Sequence, residues 1–501
     1  MSAEEQGWRR TVVVAAAMLA ALLQLADTTI VNVAVPTIDG NLGASVDEGT
    51  WFITAYIIAN VVVIPLSPWL SSRFGRTRYF ALSIAGFTVA SMLCGLANDV
   101  PTEVAFRFVQ GAFGGGLMVP AQQIIRDAFP PKQLGLSQAL FGLAATIGPT
   151  IGPTLGGLLT DGASWRWVFF INLIPGIVAT ALVVAFVRDP DDQPRAPIDV
   201  PGIALLAVGL GALQYVLEEG ERNDWLDDGV IRATLLVAVV GLAAFVWWET
   251  RGTRTPAVAL NVLRKRTVWA SALVSFAVGY GLYGVFAIFP FYTQGTLGFT
   301  PTLSGLLIMS RAGTLVALFP FIAWLVSRPK ADLRLATAAG LAIYAVASWL
   351  QAAVMTPTAD FNALLATQVA GGLGLALVFV PLNVALLRAL GNQPAAIAPS
   401  LAIARLAQQI GGSIATATVI TAADRAFAFH DSALRGGVTL ANPVAAAAVA
   451  AHAKGIAVLA QLVAQQASVL SYADAMRLIA IVAAISAPLP FLLRRQRTAA
   501  A

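Results

Sequence analysis

Charged side chains are scarce in this chain of 501 residues, and that scarcity limits what the protein can be. Only 11% of the residues are charged, whereas 58% are hydrophobic. A soluble domain usually carries about 25% charged residues. The composition therefore excludes a water-soluble protein of this length and indicates a chain that lies in a lipid bilayer.

Cysteine and histidine are nearly missing as well. Cys94 is the only cysteine, so no intrachain disulfide or cysteine metal cluster is possible, and we expect an inert buried thiol. His430 and His452 fall in a loop, where we expect them to be solvated. The chain contains no GxxxxGK[ST] motif, which argues against an ATP-driven pump. We predict a protein that is not an enzyme and that needs no metal, cofactor or nucleic acid.

Long apolar runs dominate the chain instead. A membrane-spanning helix needs about 20 mostly apolar residues, and fourteen stretches satisfy that length. We predict an all-α polytopic membrane protein whose spans are 11–31, 51–72, 79–97, 102–125, 134–159, 165–187, 199–217, 230–249, 268–293, 302–326, 335–354, 361–387, 396–422 and 472–493.

The lysines and arginines are distributed unevenly between the loops, and this bias sets the orientation. With the N-terminus in the cytoplasm, 21 of the 31 lie in inside segments and seven lie outside or at outer helix ends. The other three, Arg107, Arg311 and Arg405, fall within spans. An even number of helices then places both termini in the cytoplasm. Residues 442–470 are rich in alanine and are predicted to form an external helix rather than a span.

The chain also contains a weak internal repeat. The segment "WLSSR" (69–73) matches "WLVSR" (324–328) at an offset of 255, and Gly111 aligns with Gly372 at an offset of 261. Two parallel six-helix halves around a midplane site form a known transporter architecture. The predicted divisions are residues 1–190 for the N-terminal bundle, 191–263 for two inserted helices, and 264–501 for the C-terminal bundle with its external loop 424–470.

Four stretches of the chain form recognisable motifs: "LADTTIVNVAVPTI" in the first helix, "FRFVQGAFGGGLMVP" (106–120), "GPTIGPTLGGLL" (148–159) and "WRWVFFINLIPG" (165–176). On these motifs the chain resembles the major facilitator superfamily, in its fourteen-helix drug:proton antiporter group of the EmrB/QacA type, and most of all the EmrB branch. The resemblance implies the major facilitator fold and a location in the bacterial cytoplasmic (inner) membrane.

Asp27 and Arg107 are the residues in which we expect the chemistry. A charge near the middle of the membrane costs about 2.5–3.5 kcal/mol on insertion scales, so such residues face a cavity or a partner. Asp27 is the only carboxylate that we place deep in a span. The pair is either a structural ion pair or a proton-coupling site, and the family resemblance favours proton coupling.

Glycines spaced by four residues form a smooth face on the predicted fifth helix. Such a face permits close approach of a neighbouring helix, and the prolines beside it favour a bend. In the family this face contributes to the contact between the two halves. The residues of this motif are Gly142, Gly148, Pro149, Gly152, Pro153, Gly156 and Gly157.

The loop "SSRFGRTR" (71–78) resembles the superfamily's loop between helices 2 and 3, with Arg73, Gly75 and Arg76 in matching places. Ser72 stands where many members carry aspartate. The usual charge contact of that aspartate is therefore in doubt, and the basic residues alternatively anchor the loop on the cytoplasmic side.

Polar and aromatic residues within spans are candidates for substrate binding. Arg311 and Arg405 either contact a substrate or partner, or extend to an interface. The predicted cavity residues are Gln24, Asn32, Tyr56, Gln110, Gln123, Tyr292, Asn383, Gln408 and Gln409.

The resemblance implies proton-coupled efflux of a hydrophobic or amphiphilic compound by alternating access. It also implies protons and a drug-like small molecule as partners, and it suggests a periplasmic adaptor and an outer-membrane channel. Two alternatives stay open. One is a dedicated exporter of an endogenous metabolite, lipid or antibiotic, and the other is a non-transporting membrane scaffold or sensor.

Overall fold

A computed structural model describes residues 3–189, 197–253, 255–328, 331–391, 393–438 and 455–493. All regular secondary structure in these ranges is helical. The helices before residue 190 are α1 (Ala3–Leu42), α2 (Val46–Phe74), α3 (Arg76–Leu96), α4 (Val100–Gly115), α5 (Met118–Asp127), α6 (Leu134–Gly162), α7 (Trp167–Phe170) and α8 (Leu173–Phe186).

The second part of the chain continues the same pattern. Its helices are α9 (Val200–Glu219), α10 (Gly229–Trp247), α11 (Arg266–Pro290), α12 (Pro301–Ser327), α13 (Leu333–Val354), α14 (Phe361–Leu390), α15 (Pro394–Gly437) and α16 (Gly455–Ser486). Short π-helical turns extend α10 to Gly252 and α11 to Thr296.

Twelve helical segments of the described residues are long and apolar enough to cross a membrane. The α4–α5 pair, interrupted at Gly116 and Leu117, and α15 bring the number to the predicted fourteen. The protein is therefore an all-α, multi-pass membrane protein. Large apolar side chains remain exposed on the outer surface, for example Leu236 and Val239 on α10, because lipid rather than water surrounds this surface.

The helix ends differ most from the sequence prediction near the C-terminus. α15 continues to Gly437 instead of ending near residue 422. Residues 455–470 are not a separate external helix, because they form the first half of the continuous helix α16. Neither proline nor glycine follows Gly455 within α16, so nothing in the sequence interrupts it. The rest of the predicted external helix, 442–454 with His452, lies outside the described residues.

The helices before residue 190 pack mainly on one another, and so do those after residue 265. α1 packs on α6, α2 on α4, and α3 on both α4 and α8. α11 packs on α15 and α16, while α14 packs on α12 and α13. The contacts between these two groups run mainly along α6 with α12 and along α2 with α15.

The two glycines aligned by the internal repeat make equivalent contacts. A Cβ on Gly111 of α4 would overlap the Tyr56 carbonyl oxygen of α2. A Cβ on Gly372 of α14 would overlap the Arg311 carbonyl oxygen of α12. Tyr56 and Arg311 are themselves 255 residues apart, the offset of the "WLSSR" repeat. Both pairs of helices therefore cross at a glycine in the same place.

The helix α9 and the turn after it contact both groups of helices. Toward α2, the Thr54 hydroxyl donates to Glu219 Oε1 at 3.4 Å. Toward α15, Gln214 Nε2 donates to Ser413 Oγ at 2.8 Å, and Trp225 Nε1 donates to Thr421 Oγ1 at 3.1 Å. The segment α9–α10 therefore spans the seam between α2 and α15.

Candidate functional site: a buried ion pair and a central chamber

Asp27 lies inside the helix group formed by α1, α2, α4 and α8, and it is fully buried. Its Oδ2 accepts a hydrogen bond from Arg107 Nη1 at 2.7 Å. Its Oδ1 accepts from Gln110 Nε2 at 2.9 Å and from Asn172 Nδ2 at 3.0 Å. Three donors on two elements thus hold one carboxylate, and the sequence had identified only Arg107 as its ion-pair partner.

Arg107 is held as firmly as Asp27, with 1% of its surface exposed. Its Nε donates to the Phe52 carbonyl oxygen at 2.8 Å, and its Nη1 also donates to Gln110 Oε1 at 2.6 Å. The guanidinium lies 4.3 Å from the centre of the Tyr56 ring, a distance that permits a cation–π interaction. Buried charges persist in a membrane when they are paired in this way.

Two further buried residues belong to this cluster and were missed by the sequence analysis. Asn172 lies between α7 and α8, inside a motif that the sequence had identified, and it also donates to Ser91 Oγ at 3.0 Å. Glu103 lies one turn before Arg107 on α4, is 0% exposed, and has no hydrogen-bond partner for either carboxylate oxygen among the described residues. An acidic residue in the first turn of a helix usually suggests an exposed position that complements the helix dipole, which hid this second carboxyl group.

The start of α4 fixes the register of Glu103 and Arg107. Asp99 caps the helix, because its carboxylate accepts hydrogen bonds from the Thr102 hydroxyl and the Thr102 amide, each at 2.9 Å. These bonds to Thr102 lower the pKa of Asp99, so the cap stays ionised. Cys94 is buried beside the cluster, and its Sγ donates to Gln110 Oε1 at 3.7 Å.

The glycine face of α6 packs against α1, which carries Asp27. A Cβ on Gly152 would overlap the Thr29 hydroxyl and lie 3.0 Å from the Ala26 carbonyl oxygen. A Cβ on Gly156 would lie 2.6 Å from the Ile30 carbonyl oxygen. The expectation that this face forms the contact between the halves is therefore corrected, because its partner lies in the same group of helices. The glycines of this face are Gly148, Gly152 and Gly156.

Another side of α6 makes the contact with the second group of helices. A Cβ on Gly135 would lie 2.8 Å from the Ala323 carbonyl oxygen of α12, and one on Gly142 would lie 2.7 Å from the Phe319 ring. Gly157, in contrast, has no atom within 4 Å of such a Cβ. Of the predicted motif, Gly157 therefore takes no part in close packing.

The loop between α2 and α3 is tied to other helix ends by two aspartates. Gly75 has a φ of 89°, a conformation that favours glycine. Arg76 Nη1 pairs with Asp127 Oδ2 at the end of α5 at 2.5 Å. The Thr77 amide donates to Asp189 Oδ1 at 2.6 Å. The carboxylates missing from the loop itself are thus supplied by neighbouring segments.

Between the two groups of helices lies a pair of adjoining cavities that we call the central chamber. Both cavities are lined by Phe379, Arg405 and Gln408, and their volumes are about 30 and 40 Å³. A drug-sized ligand needs roughly 300 Å³ or more, so the chamber is nearly closed in this conformation. A larger cavity of about 460 Å³ opens between the ends of α2 and α5 and the start of α15.

Few of the predicted cavity residues line the central chamber. Asn383 and Gln408 do, and Pro149 of the glycine motif joins them. Gln122 lines it in place of Gln123, and its Nε2 donates to Asn383 Oδ1 at 3.0 Å across the two groups of helices. Gln123 faces the larger cavity near the end of α2, because adjacent residues of a helix point about 100° apart.

The other predicted cavity residues lie elsewhere. Tyr56 and Gln110 belong to the ion-pair cluster. Gln24 is buried nearby, and a Cβ added to Gly114 would lie close to both Gln24 Cγ, at 3.5 Å, and the Tyr56 hydroxyl. Three more are away from the chamber lining: Asn32 is exposed, Gln409 is half-buried, and Tyr292 donates from its hydroxyl to the Thr356 carbonyl oxygen at 2.8 Å. Arg73 is half-buried in the last turn of α2. His430, expected in solvent, pairs with Asp474 at 2.8 Å.

Arg311 and Arg405 both line the central chamber and are 5% and 9% exposed. Arg311 donates to Tyr344 Oη at 3.3 Å and to Gln351 Oε1 at 3.2 Å. Arg405 donates through Nη1 to Gln408 Oε1 at 3.1 Å. Both guanidinium groups are thus buried with neutral partners only, among the residues that the structure describes.

An all-helical membrane fold with two packed groups of helices, a chamber between them and a buried ion pair within the first group is typical of a membrane transporter. Residues 17–416 match the profile of the Major Facilitator Superfamily, and the chain belongs to that family. It is 31% identical to the multidrug export protein EmrB of Escherichia coli, covering 88% of this chain and 86% of that one. It is 32% identical to the fatty acid resistance protein FarB of Neisseria gonorrhoeae, covering 84% and 82%.

Solved structures show the same fold. The human organic anion transporter MFSD10 superposes with a TM-score of 0.59 at 14% identity, covering 95% of this chain and 99% of that one. The proton:xylose symporter XylE gives a TM-score of 0.60 at 16% identity, covering 95% of both chains. These likenesses support the major facilitator fold, and with the family match they make the protein a transporter with a small-molecule substrate.

Proposed function

We propose that this protein is a proton-coupled efflux transporter that exports hydrophobic or amphiphilic compounds by alternating access. The observation that carries the proposal is the fully buried Asp27–Arg107 pair, which involves the same helix α1 whose Leu25 lines the central chamber. The similarity of the chain to multidrug export proteins over most of its length supports export as the direction of transport and a broad range of substrates.

The moving parts in this proposal are two six-helix halves, residues 1–190 and 264–501, with the helices of 191–263 inserted between them. The packing of helices within each group and the equivalent glycine contacts at Gly111 and Gly372 support this division. Rocking of the halves would open the nearly closed chamber to either side, with α6 against α12 and α2 against α15 as the sliding contacts.

Asp27 is the proton-coupling group in this mechanism. Burial favours the neutral form of a carboxyl group, whereas a nearby arginine favours the ionised form. In the present conformation Arg107 and two amide groups are within hydrogen-bond distance of Asp27, an arrangement that suits the carboxylate. Movement of α4 away from α1 would remove that support and allow a proton to bind from the outer side.

The decisive experiment is Asp27→Asn in the full-length protein, reconstituted in liposomes with an imposed pH gradient. Asparagine keeps the shape of the side chain but cannot release a proton. We expect substrate-dependent proton movement and uphill transport to be lost, while Asp27→Glu retains part of both. Pumping by Asp27→Asn at the wild-type proton ratio would assign a structural role to Asp27.

We place the protein in the cytoplasmic membrane of a bacterium, with both termini in the cytoplasm. The charge bias of the loops supports this orientation, and the EmrB relatives are bacterial proteins. Tagging each terminus and measuring access of a membrane-impermeant reagent in whole cells tests it. Labelling of either terminus in intact cells would show that this terminus lies outside the cytoplasm and would contradict the proposed orientation.

We propose further that the outer ends of α15 and α16 contact a periplasmic adaptor, which would lead to an outer-membrane channel. The 44 residues of α15 extend about 66 Å, more than twice the roughly 30 Å of the hydrocarbon core. Phe429 and Leu462 are 68% and 54% exposed in these ends.

Replacing both Phe429 and Leu462 with serine tests the adaptor contact. Transport in liposomes should be unchanged, whereas resistance in whole cells should fall. Ser432→Ala, on the same exposed stretch of α15, is the matched control. An equal loss in both assays would mean that the two side chains serve the transporter's own fold.

A further inference from the structure

The second group of helices buries two positive charges for which the described residues provide no negative partner. Arg311 on α12 and Arg405 on α15 are both more than nine-tenths buried and line the same cavity of the central chamber. No described carboxylate lies within 4 Å of either guanidinium group.

Several guanidinium donors in the chamber are also without acceptors. Arg405 Nε and Nη2 have no hydrogen-bond partner in the described part of the chain, and the same is true of Arg311 Nε. A guanidinium group carries five N–H donors and cannot lose its proton in a protein. These two side chains therefore cannot lower their energy by becoming neutral, as a buried lysine or carboxyl group can.

Most of the remaining lining of the cavity shared by the two arginines is apolar, and its uncharged polar residues are Thr146, Thr150, Tyr283 and Gln408. Leu282, Phe286, Ile308, Leu315 and Phe379 line the cavity that contains both arginines. Charged groups that face the chamber are limited, in the described residues, to Arg311 and Arg405. A ligand that satisfies such a site carries a negative head for the arginines and an apolar body for the remaining surface.

We propose that the central chamber binds amphiphilic anions, with a carboxylate or a comparable oxyanion held between Arg311 and Arg405. This assignment rests on the proposed transport function and names its substrate class. Because the chamber is nearly closed in this conformation, the anion enters when the halves part and supplies the counter-charge that the two arginines lack. A lipophilic cation in the same place would meet two like charges.

The test uses three soluble probes that share a naphthalene ring and differ in charge: 2-naphthoate, 2-naphthamide and 2-naphthylmethyl trimethylammonium. Binding to the purified full-length protein in lipid nanodiscs is measured by calorimetry, without any pH gradient. We expect 2-naphthoate to bind about tenfold or more tightly than the neutral amide, and the cation to bind weakest.

Single variants then assign the preference to the arginines. Arg405→Gln and Arg311→Gln should each weaken 2-naphthoate binding about tenfold and leave 2-naphthamide unchanged, while Arg405→Lys keeps part of the preference. Arg232→Gln, an exposed arginine at the start of α10, is the matched control. The proposal is overturned if the cation binds as tightly as the anion, or if both glutamine variants keep the wild-type preference.

The anion has two possible sources, and a competition arm separates them. Displacement of 2-naphthoate by hexadecanoate but not by hexadecanol indicates that membrane fatty acids reach the site. Displacement only by short water-soluble acids indicates entry from the aqueous phase. Because binding is measured without a gradient, failure of this inference leaves the proton-coupling result for Asp27 standing, and the reverse also holds.

Discussion

The two halves of the protein treat a buried arginine in opposite ways. In the N-terminal half, Arg107 meets the carboxylate of Asp27 at 2.7 Å and stacks on Tyr56. In the C-terminal half, Arg311 and Arg405 meet a hydroxyl group and amide oxygens, and Arg311 also lies 5.5 Å from the centre of the Tyr344 ring, but neither meets a carboxylate among the described residues. The ion pair of the first half is thus complete within the chain, and in our proposal a bound anion supplies the counter-charge in the second half.

The internal repeat makes this difference more informative. Arg311 occupies the position of Tyr56, and Gln368 occupies the position of Arg107, by the offsets of 255 and 261 that the repeat defines. Gln368 is fully buried and has no hydrogen-bond partner among the described residues. The buried arginine therefore occupies different elements of the repeat in the two halves. It lies on α4, inside the ion-pair cluster, in the first half and on α12, in the chamber wall, in the second. In our proposal, similar halves thereby divide the tasks of proton binding and ligand binding.

The largest effect should separate the two kinds of arginine by stability. Arg107→Gln leaves Asp27 without its ion-pair partner, which typically costs about 3–5 kcal/mol. Arg405→Gln removes a charge that has no counter-charge, so it should cost less than about 1 kcal/mol or should stabilise the protein. Thermal unfolding of both variants in one detergent measures the difference.

A double variant controls for the loss of charge in the N-terminal half. Asp27→Asn with Arg107→Gln removes both ions and should regain most of the stability lost by Arg107→Gln alone. If Arg405→Gln is instead as damaging as Arg107→Gln, then Arg405 already has a counter-charge within the protein, and the contrast between the halves fails.

The next effect concerns the support of the ion pair by α6. Gly152→Leu places a side chain against Ala26 and Thr29, on the turn of α1 that carries Asp27. Overpacking of this kind costs about 1–3 kcal/mol, and we expect the protein to insert and express but not to transport. A Cβ added to Gly157 has no atom within 4 Å, so the Gly157→Leu variant should transport normally. Efflux from liposomes measures both variants. Normal efflux by Gly152→Leu would remove the glycine face from the mechanism.

A smaller effect is expected at the exposed ion pair of the loop between α2 and α3. The side chains of Arg76 and Asp127 are 13% and 37% exposed, so solvent screens their attraction. Arg76→Gln should therefore cost about 1 kcal/mol or less. A loss of stability near that of Arg107→Gln, measured by the same thermal unfolding, would show that exposure does not rank the ion pairs of this protein.

The smallest change in stability is expected at Glu103. Its carboxyl group is buried without a hydrogen-bond partner in the described residues, so Glu103→Gln removes no described bond and should alter stability by less than about 1 kcal/mol. The charged groups that interact electrostatically with the Glu103 carboxyl group are Arg107, Asp27 and Arg166. A shift in the pH dependence of transport would add Glu103 to the proton route, whereas a large loss of stability would make it a structural partner of Arg107.

The sequence alone identified the fold and the ion pair because both depend on local chemistry. A carboxylate deep in one early apolar run and an arginine in another have few ways to remain in a membrane except together. The spacing of the glycines correctly indicated a packing face, but spacing describes only one side of a contact. The partner helix α1 could be recognised only when the chain was folded.

Side-chain directions were harder to predict than the positions of the helices. Gln122 rather than Gln123 lines the central chamber, because adjacent residues of a helix point about 100° apart and an error of one position changes the face. The lengths of α15 and α16 were underestimated because hydropathy reports where a helix crosses lipid, not where it ends. That Arg311 and Arg405 meet no carboxylate among the described residues is a property of their surroundings, which no pattern in the sequence displays.

The contacts of α9 set a mechanical condition on the transport cycle. Its side of the seam with α15 is joined by the Gln214–Ser413 and Trp225–Thr421 hydrogen bonds, and these must separate if α9 moves with α2 away from α15. Each such bond contributes about 0.5–1.5 kcal/mol net, so the pair adds roughly 1–3 kcal/mol to the closed arrangement. That amount changes the ratio of closed to open molecules by about 5- to 150-fold. The contacts of α9 would therefore favour the closed conformation and still allow the protein to open.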